Sequence, residues 1–462
     1  MTSLPAQFGP FKINYNTQKE KWKMSELISM CVQEEERLKS EQPDSAHVAI
    51  TGPSKGKGKK FVKGNVQGNK NASVTKTDKA SSSRTKGSSG PRCHFCKDKG
   101  HMRKECHKFR EWLEKKEETW NLVESIASSS CSSINLTEKL LHFTNGIISR
   151  AAFGDKCKDV NDFISVVREG SELCGGFDMP DLFPSLPFLP LVTRMKPAVL
   201  ENLKVRMDKV LDSIINDHLA KSAAGDESGD DDLIDVLLKL RSSDDCPLTM
   251  TNIKAIILDI FAGGTDNSSA TLEWAMSEMR RNPKVMAKAQ AEVRQALKGK
   301  KKITGEDVHE LHYLKLVIKE TLRLHPPAPL LPREVREECQ INGYDMPIEA
   351  KVIVNLWAIG RNKRQWPDAD SFRPERFEGS SVTFQGTNFE YIPFGAGRRI
   401  CPGIQFAAAS IELSLALLLN QFDWNLPDGI KPEESDMTER FGISVRKKNP
   451  LYVIPTPVSS FD

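Results

Sequence analysis

Hydrophobic and polar positions along the 462-residue chain fall into three regimes. In residues 16–40, Trp22, Leu27, Ile28, Cys31, Val32 and Leu38 lie close to one helical stripe with Lys and Glu elsewhere, which predicts an amphipathic helix. From 51 to 90 the periodicity disappears. That stretch has ten Lys/Arg, seven Gly, seven Ser and one acid, Asp78, with Phe61, Val62, Val66 and Val74 as its large apolar side chains. Such a segment cannot bury enough surface to offset its ordering entropy, so disorder is expected. From 117 to 462 long helical patterns return, interrupted by strand-like runs, chiefly KVIVNLW (351–357) and PLYVIP (450–455). A proline-rich stretch, MPDLFPSLPFLPLV (179–192), and an acidic loop, GDESGDDD (225–232), separate the helices, and no internal repeat is visible. The pattern predicts a mostly α domain with small β-sheets. Its most apolar run, GIQFAAASIELSLALLLNQF (403–422), carries Gln405 and Glu412 in its first half and reads as a buried helix rather than a membrane span.

Composition narrows the class. Apolar residues make up 39% of the chain, ordinary for a soluble globular protein. Ten cysteines are too few for a disulfide-stapled scaffold and fit a reducing compartment. The N-terminus, MTSLPAQFGPFKINYNTQKEK, is too polar for a signal peptide or anchor. The expectation is a cytoplasmic protein without a transmembrane anchor. Net charge is +4, but residues 51–110 hold 17 Lys/Arg against 3 Asp/Glu, and the other residues hold 49 against 59. A +14 arm is joined to a −10 body, which suggests a nucleic-acid or membrane-surface arm on a mildly acidic domain.

Inside the basic arm, CHFCKDKGHMRKEC places Cys93, Cys96, His101 and Cys106 in C-x2-C-x4-H-x4-C spacing. Three thiolates and an imidazole can complete a closed tetrahedral Zn2+ site, replacing a core that fourteen residues cannot build. Gly100 precedes His101, where a tight turn helps to aim the ring. This run resembles the zinc knuckles of retroviral and copia-type retrotransposon Gag proteins. The resemblance extends upstream through FGPFKINYNTQKEKWKMSELISMCVQEEERLK and covers about residues 1–115. It implies a Gag-like helical segment (1–50), a basic linker (51–92) and a knuckle (93–106) that binds single-stranded RNA or DNA. Phe95 and Met102 would stack on bases, with Arg103 and Lys104, helped by Arg92, Lys97 and Lys99, on phosphates. His94 stands where retroviral members usually carry an aromatic hydrocarbon ring. For the basic residues of 51–90, a solvated linker face remains an equal alternative.

The run FGAGRRICPG (394–403) fits F-x-x-G-x-R-x-C-x-G, the pattern of a haem-thiolate loop, at every fixed position. A ligating thiolate needs shelter from solvent and backbone N–H bonds, and Gly397 and Gly403 permit a tight backbone around Cys401. The apolar helix that follows turns its positive end toward the sulfur. With KETLRLHPP (319–327) and FRPERF (372–377) in fixed order before this loop, residues 117–462 resemble a cytochrome P450 of the plant microsomal type. The resemblance implies a haem with Cys401 as iron ligand, Phe394 in the loop, and Arg399 and Arg333 on the haem propionates. It also implies a buried Glu320–Arg323–Arg376 network, electrons from NADPH through a reductase, O2 as oxidant and a small lipophilic substrate. DMPDLFPSLPFLP (178–190) resembles the terpenoid-oxidising branch.

The segment AGGTDNSS (262–269) resembles the family's central distal helix. Gly263 and Gly264 would open a groove for oxygen and Asp266 would relay protons, with Thr265, Ser268 and Ser269 as nearby hydroxyls. Asn267 stands where the family has threonine; an amide donates but is a poor proton relay, so loss of reducing equivalents to hydrogen peroxide is expected. Upstream of residue 117 the family's anchor, proline hinge, two strands and several helices are not recognisable, and Trp112 and Trp120 lie outside the expected context. The fold expectation is thus a cytochrome P450 domain truncated at its N-terminus, preceded by a disordered arm and a CCHC knuckle. Two functions follow: a haem-thiolate monooxygenase, impaired by truncation and by Asn267, or a zinc-knuckle nucleic-acid-binding chimera with an inactive enzyme half.

Overall fold

The computed structural model describes residues 117–153, 160–175, 195–223, 232–241, 248–300, 303, 305–440 and 442–458. The Gag-like segment, the basic linker and the knuckle, with Cys93, Phe95, Cys96, His101, Met102, Arg103, Lys104 and Cys106, lie outside the described residues. So do 179–192 and 225–231.

The first described elements are helix α1 (Glu117–Ala127), the short strand β1 (Ile134–Asn135) and helices α2 (Leu136–Phe153), α3 (Val160–Cys174), α4 (Met195–Ala223) and α5 (Leu233–Arg241). The 32-residue α6 (Met250–Arg281) follows, then α7 (Pro283–Ala296), α8 (Gly305–His309) and α9 (His312–Leu324). Strands β2 (Leu330–Glu334), β3 (Cys339–Ile341), β4 (Tyr344–Met346) and β5 (Lys351–Asn355) lead into α10 (Leu356–Gly360). The chain ends with α11 (Ile404–Gln421) and strands β6 (Phe422–Asn425), β7 (Glu439–Arg440), β8 (Arg446–Lys447) and β9 (Tyr452–Pro457). The sheets are small and antiparallel: β1-β9-β6, β2-β5, β3-β4 and β7-β8.

Local chemistry explains the boundaries. Thr249 and Asn252 form a reciprocal capping box at the start of α6, where the Thr249 hydroxyl accepts from Asn252 N at 3.1 Å. Pro283 cannot continue α6 and opens α7 at its first position. The strand predicted over 351–357 stops at Asn355, whose side chain accepts from Ala358 N at 2.9 Å and so caps α10 instead. The strand predicted over 450–455 is shifted to 452–457, with Pro455 and Pro457 inside it. β9 tolerates both prolines because β1 pairs only with Tyr452 and Val453, and β6 covers the rest from the other side.

The core has two parts, both reached by α6. Its first half puts Ile253, Ile257 and Phe261 among side chains of α2, α3, α4 and α5. Its second half puts Leu272, Ala275, Met276 and Met279 among α1, α7, α9 and α11. Between these halves Thr265, Asp266, Ser268 and Ser269 are buried too, a polar seam in an otherwise apolar rod. Farther along, the buried Glu273 accepts from the Thr137 hydroxyl, which itself accepts from Leu451 N at 2.8 Å, tying α6 to α2 and the strand end. Among the described residues α11 is the one helix long and apolar enough to cross a membrane, yet 56% of its 18-residue window is buried within the fold. The buried helix read from the sequence is therefore what the chain forms.

The loop before the β7–β8 ribbon is held by Asp436, which accepts from Thr438 N at 2.9 Å and Asn449 Nδ2 at 2.7 Å. The Thr438 hydroxyl bond and these neighbours hold its carboxyl down to about 2, against an ordinary 3.8. A depressed carboxyl contributes stability above its unfolded value and loses it as pH falls through the folded one. The stability gap between the parent and Asp436→Asn should therefore be full near pH 5 and shrink progressively toward pH 2, as read by urea unfolding across that range.

Candidate active site

Three groups of polar side chains stand out around the seam of α6 and the start of α11, two helices that pack against each other. The first is centred on Glu320 of α9, whose side chain is fully buried. Arg323, one helical turn on, meets it with two bonds, Nε to Oε2 at 2.8 Å and Nη2 to Oε1 at 2.9 Å. Oε1 also accepts from Arg376 Nε at 2.8 Å and Arg373 N at 2.8 Å. The remaining guanidinium donors go to main-chain carbonyls: Arg323 to Gly360, Ala369 and Ser371, Arg376 to Pro367, Asp368 and Ser371. One carboxylate thus gathers the segment 360–376 onto α9. The three residues singled out in sequence come together.

The second group is the Cys401 loop. Cys401 N donates to Phe394 O at 3.0 Å, and Gly395 N to Ile392 O at 2.8 Å, closing a tight bend. Gly395 and Gly397 sit at φ of +71° and +73°, which a β-carbon disfavours. The conformational argument made for Gly397 holds and extends to Gly395. It does not hold for Gly403, whose φ is −87°; there a β-carbon would stand 3.7 Å from Cys401 Sγ. Gly403 caps α11, and its backbone hydrogen bond draws the Cys401 thiol toward ionisation. Burial acts more strongly the other way and pushes that thiol above its ordinary value. The residue is half-buried, and a cation next to its sulfur would favour the thiolate. Phe394 stacks edge-on against Phe384 at 5.4 Å. Arg399, in the turn Gly397–Arg399, and Arg333 on β2 are both exposed, and neither is ion-paired among the described residues.

The third group is the seam itself. Gly263 faces open space, with no heavy atom within 4 Å of where a β-carbon would lie. Gly264 behaves differently: its β-carbon would come within 2.6 Å of Ile148 Cδ1, so it is a packing contact with α2 and not part of a groove. Thr265 O accepts from the Thr144 hydroxyl at 3.1 Å, while its own buried hydroxyl has no partner among the described residues. Asp266 is ion-paired to Arg446 at 2.5 Å with both side chains nearly buried. Asn267 Oδ1 accepts from the Ser444 hydroxyl at 2.6 Å. Arg168 of α3 lies close enough for Arg446, Asp266 and Glu273 to influence it, and burial lowers its affinity for a proton. Arg446, Ser444 and Arg168 were not anticipated. In sequence, SVRKK (444–448) reads only as a basic surface run, since nothing local tells which α6 residue it meets.

Comparison with known proteins places this geometry. The family "Cytochrome P450" matches residues 95–454, beginning inside the cysteine–histidine run. Desmethyl-deoxy-podophyllotoxin synthase of Sinopodophyllum hexandrum is 53% identical over 75% of this chain and 69% of its own length. Premnaspirodiene oxygenase of Hyoscyamus muticus is 50% identical over 74% and 69%, and germacrene A hydroxylase of Barnadesia spinosa 48% over 74% and 68%. Among solved structures, the haem domain of cytochrome P450DA superposes with a TM-score of 0.60 at 19% identity, over 74% of this chain and 72% of that one, a likeness of fold.

Replacing the central carboxylate tests the first group. Glu320→Gln leaves Arg323 and Arg376 buried without their counter-charge, and breaking a buried pair of this kind costs about 3–5 kcal/mol. Urea unfolding of the full-length protein should show a loss of that size, whereas Lys288→Gln, which breaks the exposed pair with Glu375, should cost less than about 1 kcal/mol.

Proposed function

We propose that this chain, which belongs to the cytochrome P450 family, works as a haem-thiolate monooxygenase on a small lipophilic substrate. The overall reaction takes substrate, O2, two electrons and two protons to hydroxylated substrate and one water. The observation that carries the reading is the Cys401 loop: a sheltered thiol with a glycine-lined bend before it and a helix N-terminus behind it. The fit to a haem is a matter of charge and space. Burial withholds ionisation from the thiol, and an iron cation would supply it. Two exposed guanidiniums, Arg399 and Arg333, are unpaired among the described residues and suit carboxylate groups such as propionates. Gly263 leaves α6 without a side chain on an open face.

When bound, the haem supplies O2 activation with electrons delivered by a reductase partner. The chain's own residues bind and orient. Cys401 holds the group through Sγ, Arg399 and Arg333 anchor its acidic edge, and Glu320 with Arg323 and Arg376 keeps the supporting segment in place. Asn267 offers amide donors where a hydroxyl would both donate and accept, so proton delivery from Asp266 and its neighbours is the weak step. Relatives named for premnaspirodiene and germacrene A support a terpenoid-type substrate.

Full-length protein produced with haem supply should give, when reduced and bound to carbon monoxide, the red-shifted Soret band of thiolate ligation. Cys401→Ser should abolish that band, and a parent without it would overturn the reading. Asn267→Thr should lower hydrogen peroxide released per NADPH oxidised, by about tenfold if the hydroxyl restores general acid catalysis.

A second reading rests on the spacing of Cys93, Cys96, His101 and Cys106: a Gag-like Zn2+ knuckle that binds single-stranded nucleic acid through Phe95, Met102, Arg103 and Lys104. One bound zinc per chain and salt-sensitive retention on single-stranded RNA are expected, and both should disappear in Cys93→Ser. Zinc-free parent protein would remove this reading.

A further inference from the structure

The segment Gly442–Lys447, whose last two residues form β8, runs beside the seam of α6 and treats its odd and even residues differently. Its backbone is fixed by neighbours: Ile443 N donates to Ser171 O of α3 at 3.0 Å, Val445 N to Pro327 O at 2.8 Å, and Trp274 Nε1 to Val445 O at 3.2 Å. The even residues send their side chains to α6. The Ser444 hydroxyl donates to Asn267 Oδ1 at 2.6 Å. Arg446 Nη2 reaches the Asp266 carboxylate at 2.5 Å, the Asp266 carbonyl at 2.9 Å and the Ser269 hydroxyl at 2.6 Å. Ser444 and Arg446, two residues apart in one short segment, thus grip two consecutive helix residues.

We infer that Ser444 and Arg446 are positioning residues that set the orientation of the Asn267 amide and the Asp266 carboxylate, and through them the partition of reduced oxygen between hydrogen peroxide and water. The inference rests on the monooxygenase reading for its consequence, though not for its contacts. An asparagine has its acceptor and its donors on opposite sides. With Oδ1 taken by Ser444, the two N–H donors face away from the strand, and an amide turn that would present Oδ1 there is opposed. Asp266 is held in the same way. One guanidinium nitrogen gives two hydrogen bonds, to the Asp266 carbonyl and the Ser269 hydroxyl, and an ion-pair contact with the Asp266 carboxylate, so Asp266 acts as a fixed acceptor rather than a swinging carrier. The guanidinium is a costly thing to bury: its Nε and Nη1 have no partner among the described residues, and Arg168 adds like charge nearby.

Two sets of measurements on the full-length chain decide this. The first is independent of activity: urea unfolding of Asp266→Asn, Arg446→Met and the double variant, and of Asn267→Ala, Ser444→Ala and their double variant. Arg446→Met should raise the unfolding constant on the order of 100-fold, and the doubles should fall well short of the product of the singles. Arg446→Lys should recover part of the loss, which guards against a variant that fails to fold. Strictly multiplicative effects in both cycles would overturn the inference. The second follows NADPH oxidation through a plant reductase without added substrate. There O2 with one NADPH and one proton gives hydrogen peroxide and NADP+, whereas O2 with two NADPH and two protons gives two waters and two NADP+. Ser444→Ala should raise the peroxide-to-water ratio about fivefold, the worth of one hydrogen bond, and Ser444→Thr should restore it. In an Asn267→Thr background the same Ser444→Ala change should have no effect, because its route through the amide is gone. An equal shift in both backgrounds, or none in a variant with the parent's carbon monoxide band, would sink the positioning role. A parent without that band would remove the monooxygenase reading alone, and the unfolding cycles would still decide whether the grip exists.

Discussion

A 32-residue helix that enters one apolar cluster with its first half and another with its second cannot leave its middle in water. In α6 that middle is Thr265 to Ser269, five residues of which four are buried and all carry a polar side chain. Burying an ionised carboxylate without compensation is prohibitive, so the position of everything that packs there is constrained by the need to neutralise Asp266. The chain meets that need from a distance of 180 residues, by laying Arg446 across the seam. The 442–447 segment bonds to α3 through Ser171 and to α6 through that charge and its partner.

The same logic operates at Glu320, at a different place and for a different end. There a single carboxylate oxygen accepts from two guanidiniums and a main-chain N–H, and the other donors of those guanidiniums satisfy carbonyls of a segment without regular secondary structure. Irregular backbone next to a core has no ladder to satisfy it, so charged side chains take over that function. The result ties the segment 360–376 to α9 through one carboxylate. Aromatic packing adds to it: Trp366, Phe377 and Tyr391 stand within 5.2–6.2 Å of one another, and the Tyr391 hydroxyl donates to Lys319 O at 2.8 Å.

Cytochrome P450 membership and the presence of the seam connect the two halves of the site. The thiol side is carried by glycines and a helix N-terminus, the other by a helix whose Asp266, Asn267 and Ser269 side chains are engaged while the Thr265 hydroxyl has no partner among the described residues. There the Asn267 amide oxygen accepts from the Ser444 hydroxyl. The activity proposed for the chain therefore depends on residues of the last twenty positions of the fold as much as on the motif that first identifies it.

Much of this was legible in the sequence for physical reasons. The ten residues 394–403 carry their geometry locally, because glycines at positive φ and a cysteine three residues before a helix need no distant partner to be recognised. Glu320 and Arg323 lie one turn apart on a helix, and the apolar run 404–421 declares its burial through composition. Arg376 could be added through the order of motifs. What only the tertiary structure decided is who meets the seam. Ser444 and Arg446 contact residues 177 and 180 positions away, and nothing in SVRKK distinguishes a solvated basic run from a buried counter-charge. The two glycines of α6 make the same point: Gly263 and Gly264 are identical in sequence terms, and only the neighbour Ile148 makes one a contact and the other an opening. Local conformation is written in adjacent residues; compensation of a buried charge is a property of whatever surface the fold brings against it.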